Sequence, residues 1–153
     1  MKKTSLFIQL FILTTLTMAQ TDSKYFVDEN NVAIKGYDVV EYANQNAAVQ
    51  GSSNFASEND GATWYFSSAE NKTTFEGNPS KYLPAYGGYC AFAVAAKNAK
   101  VPTDPETFKY YNGQLHLFFN DLWDGQKFNT IVPWNADEVN MKKTAEANWK
   151  AMD

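Results

Sequence analysis

Arginine is missing from this chain altogether: all 13 of its Lys+Arg residues are lysine. Arginine is the preferred planar fork for phosphate and carboxylate. Its absence, under a formal net charge of −4, argues against nucleic acid or any other polyanion as partner. Cysteine is nearly absent as well. A single Cys90 forms no internal disulfide, so stability must come from the core, and the thiol is free, buried or used. There is one histidine, His116. No stretch reaches the ~20 consecutive apolar residues of a membrane-spanning helix. A Gly-rich phosphate loop, a nucleophile elbow and an HExxH pair are all lacking, as are internal repeats and low-complexity tracts.

Aromatic residues are abundant: four Trp, nine Tyr and eleven Phe in 153 residues. Tyrosine and tryptophan seek hydrogen-bond partners for their polar tips when buried, so a core edged with bonded aromatics is expected. The first residues read differently. Lys2 and Lys3 precede an uncharged, mostly apolar run from Leu6 to Met18, and Thr17-Met18-Ala19 puts small residues where a signal peptidase inspects the chain. This is the pattern of a cleaved secretory leader over residues 1–19, which implies a periplasmic or secreted protein. The alternative, a retained anchor, is opposed by the shortness of the run. No Cys follows it, which argues against a lipid anchor. The leader holds two lysines and no carboxylate, so the mature form is more acidic than the whole and has no membrane span.

Residues 20–153 are enough for one domain with a genuine core. Tyr25–Val27 and Val32–Ile34 read as strands around an Asp-Glu-Asn-Asn turn, and Ala47–Gln50 as a short strand. Asp38 is placed to N-cap a brief helix through Tyr42. Asp60-Gly61 and Asn112-Gly113 lie between apolar runs and signal hairpins. Ser68 caps a helix to about Glu76, with Phe75 inward, and Asn78-Pro79 opens another short one. Tyr89–Ala96 reads as helical, and Pro102 and Pro105 mark a loop. Asp121 reads as the cap of a helix holding Leu122 and Trp123. Asn135 and Glu138 have the spacing of a capping box, opening a terminal helix over about 135–151 with Val139, Ala145 and Trp149 inward. Hairpins alternating with short helices give an α+β fold: a single domain with an antiparallel sheet from hairpins, short helices and a C-terminal helix.

Several ordered landmarks resemble the YHS domain family. Trp64-Tyr65-Phe66 runs into Ser67–Glu76 with Phe75, then Asn78-Pro79-Ser80-Lys81-Tyr82. The resemblance extends to the family's exported branch through Ala33–Tyr42, Tyr86-Gly87-Gly88-Tyr89-Cys90-Ala91, Asp104-Pro105 and the Asn112-Gly113 hairpin. It covers about residues 32–120. The resemblance implies metal handling, which members perform through cysteines near the strand and helix. This chain departs from them there, with Ser67 and Asn71 at two of those positions and Glu41 at the early one. Soft-metal sites need thiolates or imidazoles, so that ligand set does not transfer residue by residue.

Cys90 and His116 are the remaining candidates for a transition-metal site, with copper as the example. Cys90 falls near the start of a helix, where backbone N–H groups favour a thiolate; the other reading is a small buried hydrophobe. Gly87-Gly88 permits close backbone approach and would suit a pocket wall. Strand alternation sets His116 on one face with Gln114 and Phe118, opposite Leu115 and Leu117. Two residues do not close a tetrahedral zinc site, and Asp38, Glu41 or Asp104 would have to add oxygen donors. The sequence thus implies an exported protein that binds a metal ion or small ligand. The alternatives are a non-catalytic structural or partner-binding module and an enzyme with Cys90 as nucleophile.

Overall fold

Three Asx-Gly dipeptides organise the β structure. Asp60-Gly61, Asn112-Gly113 and Asp124-Gly125 all hold positive φ at both residues (49° and 81°, 52° and 75°, 52° and 76°), the backbone of a two-residue I′-type hairpin turn. In the computed structural model, which describes residues 23–152, each dipeptide joins an antiparallel pair. β1 (Ser52–Asn59) pairs with β2 (Ala62–Phe66), β3 (Asp104–Tyr111) with β4 (Gln114–Phe118), and β5 (Asn120–Trp123) with β6 (Gln126–Asn129). The hairpins remain three separate two-stranded sheets. Around them lie α1 (Val39–Gln45), α2 (Ala69–Gly77), α3 (Ala91–Lys97), α4 (Ile131–Ala136) and α5 (Glu138–Met152). The α+β class, the antiparallel hairpins and the C-terminal helix are as the sequence implied. The leader expected over residues 1–19 lies outside the described residues. Among the described residues no helix is long and apolar enough to cross a membrane.

Two cores share β4. Leu115 and Leu117 face a first core built from Ile34, Val39, Tyr42, Trp64, Phe66 and Phe75. Phe118 turns the other way into a second core with Tyr86, Val94, Trp134 and Ala145. The alternation read along β4 therefore holds. The aromatics pack edge-on or tilted, as ring quadrupoles prefer: Tyr25 meets Trp64 at 5.2 Å, and Phe66 meets Phe75 at 5.0 Å. α5 lies on α3, and Asn148 Nδ2 donates to the Val94 and Ala95 carbonyls.

Several expectations are corrected. The helix expected after Asp121 is β5. Asp124-Gly125 is a third hairpin signal of the same kind as the other two, and turn chemistry overrides the weak capping signal of Asp121. The strands expected at 25–27, 32–34 and 47–50 reduce to isolated bridges, Val27 with Ala33, Val32 with Thr63 and Tyr37 with Gln50. Pro105 lies within β3, where the register shifts between Asp104 and Phe108, a bulge that tolerates proline. The capping box at Asn135 does not form. Wholly buried Trp134 draws residues 131–136 into α4, Asn135 instead accepts from Lys109 Nζ at 3.0 Å, and the terminal helix starts at Glu138. Val139 is 81 % exposed, not inward. It stands six residues before buried Ala145, about 120° round the helix from that face.

Candidate functional site

The site grows from a turn of unusual hand. Ile34, Lys35 and Gly36 follow one another at φ 49°, 52° and 79°, a left-handed turn closed by Tyr37 N donating to Ile34 O at 3.1 Å. It delivers Asp38 to the head of α1, where Oδ1 accepts from Val40 N at 2.8 Å. This is the N-cap the sequence implied. Glu41 follows three residues on, the spacing that returns a helical side chain to the capped end. From the other side, β2 ends at Phe66 and Ser67 stands at the junction. Ser68 caps α2 by accepting from Asn71 N at 3.1 Å, which sets Asn71 in the first turn of that helix.

These two junctions bring four side chains together. Asn71 Nδ2 lies 2.8 Å from Asp38 Oδ2, 2.7 Å from Glu41 Oε1 and 3.1 Å from Ser67 Oγ. Ser67 Oγ lies 2.8 Å from Asp38 Oδ2 and 3.1 Å from Glu41 Oε1, and Ser67 N donates to Asp38 Oδ2 at 2.8 Å. Asp38 is wholly buried and Glu41 is only 9 % exposed, while Ser67 and Asn71 are half-buried on the solvent side. Two ionisable carboxyls are thus held against the same amide and hydroxyl. Neither forms an ion pair among the described residues.

The donors do not suffice for the acceptors. Ser67 has one hydroxyl hydrogen for two carboxylates, and the Asn71 amide has two hydrogens for three acceptors. Glu41 Oε2 is buried with no hydrogen-bond partner among the described residues. A buried polar atom left unpaired costs about 1–3 kcal/mol, more when charged, and two buried anions call for a compensating positive charge.

Cys90 and His116, the residues proposed for metal, are placed separately. Cys90 is the residue before α3, as expected, but it is fully buried. Its Sγ lies 3.2 Å from Thr130 Oγ1 and accepts from Phe119 N at 3.3 Å. His116 is also fully buried, flanked by the rings of Tyr111, Tyr86 and Trp134 at 4.7, 5.9 and 6.0 Å. Its Nδ1 faces the Gln114 carbonyl at 3.3 Å, and its Nε2 has no hydrogen-bond partner among the described residues. Burial drives its pKa down to about 4, with Lys142 and Lys109 adding to the effect. Among the described residues the two share no hydrogen-bond or ring partner. Gly87 makes the close approach expected of it, but to backbone: a Cβ there would stand 1.9 Å from Lys24 O.

Of the three carboxylates considered as added donors, the fold unites Asp38 with Glu41. Asp104 joins Thr107 at 2.7 Å instead. Among the described residues, no group of three or more His, Cys, Asp and Glu is placed to hold a metal ion; the polar cluster reaches four members only through an amide and a hydroxyl. The sequence signal for it was the Asp-x-x-Glu spacing across a helix start. Comparison with protein-family models, with curated proteins and with solved structures finds no match to this chain.

Proposed function

We propose that the protein is an exported, YHS-type binding protein that takes a metal cation or a small cationic ligand between Asp38 and Glu41. The observation that carries this reading is Glu41 Oε2, buried and unpartnered beside a second buried carboxyl. Ser67 and Asn71, the other members of the cluster, are half-buried. Cys90, the thiol that a covalent reading would need, is sealed in the core, which favours binding over Cys-dependent chemistry. The exported character rests on the leader pattern, with Gln20 as the expected first residue of mature protein; intact mass of envelope or medium protein tests it.

Binding is tested by calorimetric titration with K⁺, Ca²⁺, Mn²⁺, Zn²⁺, Cu(I) and a short aliphatic diamine. One of them should bind at one per chain to the wild type and at least tenfold more weakly to Glu41→Gln. Absence of any such ligand, or equal binding by Glu41→Gln, refutes the reading. A second reading, a partner-binding module, is favoured by one observation: Leu122 and Trp123 on β5, Phe128 on β6 and Val132 in α4 are all exposed, and exposed apolar residues grouped in a patch mark interaction sites.

A further inference from the structure

We infer that the ligand of the Asp38–Glu41 site is a hard divalent cation, held by oxygen atoms alone once the Asn71 amide has turned over; this rests on the cation-binding reading above. A half-turn of the amide exchanges Nδ2 for Oδ1 in the same place. The cluster then offers Asp38 Oδ2, both oxygens of Glu41, Ser67 Oγ and Asn71 Oδ1. The two formal negative charges match a divalent ion. The donor set holds no thiolate and no imidazole, so it suits Mg²⁺, Ca²⁺ or Mn²⁺ and not Cu(I).

The spacing fits as well. Five separations among the four contributing groups run from 2.7 to 3.1 Å. Neighbouring oxygens of an octahedron with metal–oxygen bonds of about 2.1 Å stand about 3.0 Å apart. These are hydrogen-bond lengths, and they hold the four groups close enough together for one ion to meet them all once the amide turns. Glu41 Oε2 is the independent sign of a missing partner: it is buried on a residue 91 % withdrawn from solvent and no donor reaches it. The resemblance implies a soft-metal site at these positions, and the residues present do not fit one. The disagreement itself points to the change of ion: hard oxygens stand where thiolates would.

Asn71→Asp separates a cation site from a merely structural knot. It keeps an oxygen toward the cluster in either orientation and adds a charge. Without metal it places a third carboxylate against two others, so the melting temperature should fall. With Mn²⁺ the melting temperature should recover, and Mn²⁺ affinity, read from the free-ion electron paramagnetic resonance signal, should rise at least tenfold above wild type. Wild type should bind one Mn²⁺, displaceable by Ca²⁺ or Mg²⁺, and Glu41→Gln should bind it at least tenfold more weakly. Binding of the diamine or K⁺ without Mn²⁺ overturns this inference and leaves the cation reading standing. So does an Asn71→Asp protein that Mn²⁺ fails to restore. Binding of no cation at all overturns both.

Discussion

Acid should loosen this protein through His116, and the loss can be worked out in advance. The ring is fully buried among Tyr111, Tyr86 and Trp134. Its pKa falls from 6.5 to about 4, first because burial penalises the charged ring, with the Lys142 and Lys109 charges also opposing protonation; the Gln114 carbonyl and Glu138 work in the other direction. The unfolded chain takes up a proton near pH 6.5, whereas the folded chain refuses one until about pH 4. Stability is therefore whole above pH 6.5 and is lost as the pH falls toward 4. At about 1.36 kcal/mol per pH unit of displacement, the full loss is about 3 kcal/mol, and about 2 kcal/mol of it has gone by pH 5. Other carboxyls titrate over part of this range, so the measurement is a difference between two proteins. Urea midpoints at pH 7.5 and pH 5 should separate more widely for wild type than for His116→Phe, which keeps an aromatic ring against Tyr111 but has nothing to protonate. The difference between the two separations should be about 2 kcal/mol. Equal pH dependence in the two proteins would refute the reasoning, because His116 would then be titrating normally or not at all.

Local geometry sets further outcomes at three positions. Gly113→Val should lower stability by about 1 kcal/mol or more in urea titration, since φ at Gly113 is 75° and a β-branched residue resists that region; a Cβ there meets nothing within 4 Å, so the whole effect is conformational. Gly87→Ala should be far more severe, abolishing soluble folded protein by circular dichroism, because its Cβ would stand 1.9 Å from Lys24 O and would force apart the Phe26 N to Gly87 O bond. Cys90 should resist a thiol reagent in the folded protein and react fully in urea. Cys90→Ser should cost only about 1 kcal/mol, because Phe119 N and Thr130 Oγ1 already stand ready to bond a hydroxyl.

What the sequence made legible was whatever turn chemistry and capping decide locally. Asp60-Gly61, Asn112-Gly113, Asp38 and Ser68 each sit where their own backbone preference puts them. The reading failed where two local signals competed. Asp121 resembled a helix cap and Asp124-Gly125 a hairpin turn, and the hairpin won. It failed again at Asn135, where burial of Trp134, a tertiary effect, moved the helix start. The polar cluster was half legible. The sequence marks Asp38 as a cap, Asp38 and Glu41 as possible oxygen donors, and Ser67 and Asn71 only as departures from the YHS pattern. Their convergence depends on how α1 is laid against the β2–α2 junction, which no spacing along the chain encodes. Cys90 and His116 drew attention by being unique, yet rarity alone places no side chain, and both were drawn into the interior as packing elements.

The strained turn explains why the cluster sits where it does. A β-branched residue at φ 49° is a genuine outlier, and left-handed residues cost about 1–2 kcal/mol each; Ile34 and Lys35 are adjacent in that region. Such a conformation persists only where its surroundings over-determine it. The surroundings are a second left-handed turn, Tyr86-Gly87-Gly88, at φ 52°, 61° and 85°. Phe26 ties the two together: its N–H donates to Gly87 O at 2.8 Å, and its carbonyl accepts from Ile34 N at 3.0 Å. Ile34 itself packs over Gly88, with Cγ1 3.3 Å from where a Cβ would stand, so a side chain there would press on Ile34 as well as being strained at φ 85°. The Tyr86–Gly88 segment therefore supports the Ile34 turn, while Tyr86 and Gly87 also line an open pocket with Lys24, Tyr25 and Trp149, to whose lining Cys90 does not belong. From Ile34 the chain passes through Gly36, pinned by Gly51 N donating to its carbonyl at 2.8 Å, and reaches Asp38, whose own N–H is held by Val49 O at 2.9 Å. The Ile34–Gly36 strain thus lies in the stretch that fixes the entry angle of Asp38, and a carboxyl whose backbone is bonded on both sides of it holds its place whether or not a charge is there to meet it.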